Sequence, residues 1–177
     1  MQPHPNPNNS TGGPSSLLTK TIKTLSEKID ESTGTKNAFY SPMSIALALA
    51  MVYEGTDLKL RSDFEQVLGF SPDQSARQQS MEFLDSLLSS AGPNPNGEKG
   101  AFQLTVGNSL WNADHCELQP GFVSSLQTMF KAYCEALDLT DPNGCCDKVN
   151  SWISNKTAGL IKDMLKPGSF TPDLLLI

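Results

Sequence analysis

Residues 37–55 read NAFYSPMSIALALAMVYEG, a short alternating run that meets Ser-Pro and then a stretch apolar on nearly every side. Ser41 is a good N-cap, because its hydroxyl can accept one of the backbone N–H groups that every helix start leaves without a partner. Pro42 suits the first helical turn, where its missing donor costs nothing and its φ is already helical. Ile45, Leu47, Leu49, Met51 and Val52 do not share one narrow stripe, so burial all round the helix is expected. The apolar stretch is too short to span a bilayer and has no flanking basic anchors. A helix of this kind belongs inside a large core.

The flanking segments have the periodicities of such a core. Upstream, Leu18, Ile22, Leu25 and Ile29 put one apolar stripe on a helix over residues 16–31, which Gly34 ends. Downstream, a helix over 57–68 carries Leu60, Phe64, Val67 and Leu68 inward and exits at Gly69. Ser71-Pro72 opens an amphipathic helix to Ser90 with Met81, Leu84, Leu87 and Leu88 on one face. The run GPNPNGEKG at 92–100 is a loop. Alternation over 102–112 and again over 133–139 predicts strands, with a helix opened by Pro120 between them. DPNG at 141–144 turns the chain into a last helix whose inner face is Val149, Trp152, Ile153 and Leu160. Leu174 to Ile177 begin a continuous apolar run of the sort found in strands buried on both faces, so the chain reads as part of something longer.

Composition narrows the functional classes. The chain has 177 residues, 38% hydrophobic and 18% charged, as expected for one globular domain. A net charge of -6 with scattered Lys and Arg argues against nucleic acid, whose phosphates need clustered basic groups. Residues 1–15 are rich in Pro, Asn and Gly and are expected to be a disordered tail ahead of a single domain over 16–177. No signal peptide can be read there, which points to the cytoplasm.

Cys116, Cys134, Cys145 and Cys146 show no CxxC spacing and read as free thiols, and His115 beside Cys116 lacks the chelating loop a metal needs, so no metal or other cofactor is expected. Cys145 and Cys146 fall where a first helical turn would favour thiolate. With only His4 and His115 present and no Gly-x-Ser-x-Gly elbow, a Ser-His-Asp hydrolase is not supported, nor is a phosphate-binding loop. The chain does not read as an enzyme.

Three segments, in this order and at this spacing, resemble the N-terminal part of a serpin. NAFYSPMSIALALAMVYEGT at 37–56 is similar to the family's Asn-x-x-x-Ser-Pro-x-Ser-Ile segment and the buried helix after it. LTVGNSLW at 104–111 is similar to Leu-x-x-x-Asn-x-Leu-aromatic, and VNSWISNKTAGLIKDMLKPGS at 149–169 to Ile-Asn-x-Trp-Val-x-x-x-Thr-x-Gly-x-Ile. The resemblance implies an α+β fold with a helical cluster, an incomplete main sheet and no catalysis. It implies a serine (or cysteine) protease as partner, cleaving an exposed loop that then inserts as a strand into the main sheet and traps the acyl-enzyme. Many members are extracellular, which is the alternative to the cytoplasm.

By the same resemblance, Asn37, Ser41 and Ser44 match structural positions beneath the main sheet, where hydroxyls hold the central strands together. Asn150, Trp152, Thr157 and Gly159 match the helix that lies across that sheet. The reactive loop has no counterpart among these residues, so this polypeptide alone is expected not to trap a protease; a non-inhibitory relative or an inactive remnant is the alternative. Helix 72–90 carries only Arg77 as a basic residue, so no heparin-type polyanion site is expected.

Overall fold

The structure is a computed structural model and describes residues 14–34, 37, 39–90, 105–171, 173, 176 and 177. Residues 1–13 of the expected tail, the loop at 92–100 and the first residues of the strand expected from 102 lie outside the described residues. The chain forms two compact units, Met1–Leu87 and Leu88–Ile177.

The first unit is helical. Helix α1 (Pro14–Thr33) begins two residues before its expected start and stops at Gly34, whose N–H bonds the Asp30 carbonyl. Helix α2 (Pro42–Gly55) starts as its sequence dictates: the Ser41 side chain accepts from the Ser44 N–H with Pro42 in the first turn. Helix α3 (Leu58–Leu68) is capped by Asp57, which accepts from the Leu60 N–H. It ends at Gly69 with φ of +74°, a left-handed conformation that strains any residue with a Cβ. Helix α4 (Gln74–Ser90) starts two residues after Pro72, because Asp73 supplies the cap by accepting the Ser75 N–H.

Leu25, Ala46 and Leu68 form the buried centre of one cluster, ringed by Ile22, Ile45, Leu49, Phe64 and Phe70. The Thr21 hydroxyl, itself buried, donates to the Leu68 carbonyl at 2.8 Å and so ties α1 to the end of α3.

Two expectations are corrected here. Helix α2 is not buried all round: Ala46, Leu47, Met51 and Tyr53 are, but Ser44, Ala48, Val52 and Gly55 form an exposed stripe at helical spacing. The described residues of this unit cover only part of its circumference. In α3, Leu68 is buried and Phe64 half-buried, whereas Leu60 and Val67 are 50% and 51% exposed. Those two lie seven residues apart on one side, and the cluster occupies the side of Phe64 and Leu68.

The second unit is a small α/β arrangement. Strand β1 (Ser109–Ala113), helix α5 (Pro120–Met129), strand β2 (Tyr133–Leu137) and helix α6 (Pro142–Lys156) follow in order, and β1 pairs with β2 in parallel, Trp111 opposite Glu135. A parallel pair needs a crossover, which α5 provides. On its other edge β1 meets the C-terminal residues: Asn112 bridges Leu176 antiparallel, and the Trp111 N–H and C=O both bond Ile177 at 2.9 Å.

The strand expected over 102–112 is shorter, since 105–108 carry no strand, and that expected over 173–177 is a single bridge among the described residues. DPNG is not a separate turn but the start of α6, with Asp141 accepting from the Gly144 N–H at 3.0 Å. Leu160, expected on the inner face, is 88% exposed, because α6 ends at Lys156 and Ala158 and Gly159 turn the chain at positive φ. No described helix is long and apolar enough to cross a membrane.

Candidate functional site

In the second unit, alternation along the strands sends Trp111, Ala113 and Leu137 to one face, and α6 packs there. Its residues Cys145, Cys146 and Val149 are buried against that face, with Trp152 and Ile153 half-buried beside them and Phe170 closing the cluster. The Trp152 ring meets Trp111 edge-on, centroids 6.2 Å apart at 85°, and lies 6.2 Å from Tyr133. Asn150 clamps the segment after the helix: its amide donates to the Leu165 carbonyl and its oxygen accepts the Leu165 N–H, both at 2.9 Å.

The Thr157 hydroxyl donates to the Ile153 carbonyl at 2.8 Å and accepts the Ile161 N–H at 3.1 Å, while Gly159, at φ +78°, bonds back to the Ser154 carbonyl. These four residues therefore serve one job in the structure, fastening α6 and its exit over the sheet.

A charged contact that the sequence did not reveal adds to this. Lys148 on α6 pairs with Glu135 on β2 at 2.8 Å, and the Tyr133 hydroxyl donates to the same carboxylate. Hydrogen bonds from Lys148 and then Tyr133 hold Glu135 below the usual carboxylate range, and Glu135 in turn raises Lys148. The lowered carboxyl contributes stability that is complete above its ordinary value and is lost as pH falls through its folded value. The raised amine contributes below its ordinary value and loses that contribution as pH rises through its folded one. Both side chains are partly exposed, so the pair stabilises by less than about 1 kcal/mol. Lys148→Met should lower stability by that amount at pH 7 and by nothing measurable at pH 3 in urea titrations; an equal loss at both would assign the effect to packing.

Asn108 was also unread: its side chain donates to the Phe130 carbonyl at 3.0 Å while its own carbonyl accepts the Tyr133 N–H. It joins the exit of α5 to both strands. Its place in LTVGNSLW was the available signal.

All four cysteines are free. Cys145 and Cys146 do sit in the first turn of α6, but buried, with thiols directed at the carbonyls of Asp138 and Lys166. Burial first, then Asp141 and Asp138, pushes the Cys145 thiol up, which corrects the expectation of thiolate there: desolvation and two carboxylates outweigh the helix dipole. Among the described residues no three His, Cys, Asp or Glu converge as a metal site.

In the first unit Asn37 is exposed, and Ser41 and Ser44 form a pair, hydroxyl to hydroxyl at 3.0 Å, on the exposed stripe of α2. The other end of α2 holds a buried charge cluster. Arg77 grips Glu54 with two bonds, 2.6 and 3.0 Å, and their side chains are 9% and 4% exposed. Tyr53 lies under the guanidinium groups of Arg61 and Arg77 and donates to Glu65 at 2.7 Å. Burial and that acceptor push its phenol up to about 12. The one basic residue of α4 is thus committed to Glu54.

The family model described as "Serpin (serine protease inhibitor)" matches residues 18–177, all but the first seventeen. The chain belongs to the serpin family. Serpin B6 of Pongo abelii is 35% identical to this serpin over 138 residues, 77% of the chain and 35% of that protein. Serpin B8 of Homo sapiens is 30% identical over 145 residues, 81% and 37% respectively. The chain therefore spans about a third of the length of these curated relatives. Among solved structures, uncleaved ovalbumin superposes with a TM-score of 0.76 at 19% identity, covering 94% of this chain and 43% of that one. A native Arabidopsis serpin gives 0.74 at 22% identity, covering 94% and 42%. These likenesses carry the fold: the six helices and small sheet described here are the helical N-terminal portion of a serpin.

Proposed function

We propose that the protein to which these residues belong inhibits a serine-type endopeptidase by the suicide route, with a serine or cysteine protease as its partner, and that residues 18–177 alone do not trap one. The observation that carries this reading is the free-standing role of β1. It holds a parallel strand on one edge and takes an antiparallel one on the other through Trp111 and Ile177, as a sheet built to be extended would. The names of similar proteins agree, among them plasma serine protease inhibitor of Bos taurus and serine protease inhibitor 42Dd of Drosophila melanogaster.

In this reading Ser41 and Ser44, with Asn37 nearby, hold strands of the main sheet over α2, and Asn150, Trp152, Thr157 and Gly159 keep α6 in place until the sheet opens. Polyanion activation through α4 is not part of the proposal, because its single basic residue is consumed by Glu54. Nucleic acid and membranes are likewise not proposed as partners.

Incubating the full-length protein with trypsin-like and chymotrypsin-like serine peptidases and a papain-like cysteine peptidase tests the reading. A complex that survives SDS is expected with at least one, because the cleaved loop stays esterified to the enzyme's nucleophile. Cleavage by all of them without such a complex would replace the proposal with a non-inhibitory serpin.

A further inference from the structure

The segment that follows α6 returns along it before reaching the sheet, and its fastenings fall at three points. Asn150 supplies both hydrogen bonds of Leu165, the pattern a neighbouring strand would offer, so a side chain stands in for a backbone partner. The next residue, Lys166, accepts from the Cys146 thiol and is closed into a turn with Ser169. Phe170 is then buried among Trp111, Leu139 and Val149. Seven residues beyond Phe170, Ile177 exchanges two hydrogen bonds with Trp111, the residue whose ring Trp152 covers. The contacts thus close a ring that runs from α6 to the return segment, to the β1 edge and back to α6.

We infer that Asn150 is a positioning residue that couples the docking of α6 to the pairing of residues 176–177 with β1, so that the return segment and that sheet edge open as one unit. The chemistry of the clamp decides this. Leu165 has no strand beside it, so loss of Asn150 leaves both its backbone groups without their partner and frees the path that leads to Ile177. The β1–β2 pairing lies outside the ring: Tyr133 and Asp114 donate to Asn108 and Leu137, and neither bond passes through the return segment. The coupling belongs to the fold and stands whether or not the protein traps a peptidase.

Native-state hydrogen exchange on the full-length protein tests it. In Asn150→Ala the amides of Leu165, Trp111 and Ile177 should lose protection together by about tenfold or more, while those of Tyr133 and Asp114 keep theirs. Asn150→Asp keeps the acceptor for the Leu165 N–H and loses only the donor, so it should show the same pattern with a smaller change; if the alanine variant does not fold, this variant carries the comparison. Loss confined to Leu165 would overturn the coupling. Equal loss at all five amides would also overturn it, by making Asn150 a residue of general stability.

Discussion

Arg77→Ala is expected to destabilise the protein by about 3–5 kcal/mol, a large share of the stability of any domain. The reason is the state it leaves behind. Glu54, with a side chain only 4% exposed, loses both guanidinium bonds and keeps its charge in a site that water does not reach. The carbonyls of Ser71 and Pro72 lose a donor as well, and Tyr53 loses one of the two cations over its ring. The pair itself need not stabilise the fold relative to an apolar replacement, because desolvating two ions offsets most of their attraction. Arg77→Met combined with Glu54→Leu should therefore be much closer to the parent than Arg77→Ala alone. Urea titrations of the single and double variants measure this, and a loss under about 1 kcal/mol for Arg77→Ala would mean the pair is solvated like a surface one.

Trp111→Ala is the second large effect, again about 3–5 kcal/mol. Trp111 is 2% exposed, sits at the centre of the second unit's core and contacts Tyr133 and Trp152 through its ring. Its indole N–H donates to the Ser109 hydroxyl at 3.0 Å, so no polar group is wasted in burying it. Removing the ring leaves a cavity that Ala113, Val149 and Phe170 cannot collapse into without losing strand register. The near-ultraviolet circular dichroism of the remaining Trp152 should weaken along with the urea midpoint. An unchanged midpoint would show that α6 does not depend on this ring.

What could be read from the sequence was governed by local chemistry. Ser41-Pro42, Gly34 and Gly69 mark helix ends because capping and left-handed turns are settled within four residues, and the structure places those ends as expected. The strand at 133–137 followed from alternation. Features decided by distant neighbours were misread or unseen. Apolar residues around all of α2 predicted full burial, yet Ala48 and Val52 face outward within their unit. Leu60, Val67 and Leu160 fit an apolar period but not the side on which the core lies, and Leu160 also falls beyond the turn made by Ala158 and Gly159.

For the candidate site, the motif around Asn150 and Trp152 was legible, but its partners were not. Nothing in the order of residues joins Asn150 to Leu165, Lys148 to Glu135, or Glu54 to Arg77 across 23 positions. The thiolate expected at Cys145 failed for the same reason: a first helical turn is a local signal, and burial beside Asp138 and Asp141 is not.

The central claim is that the intact protein is held short of its most stable state and that cutting its reactive loop lets a new strand enter the sheet beside β1. Unfolding of the full-length protein, measured before and after limited proteolysis within that loop, tests this most directly. A cleaved form that unfolds at a markedly higher temperature than the intact one is the predicted result. A cleaved form that unfolds at the same temperature or lower would contradict it.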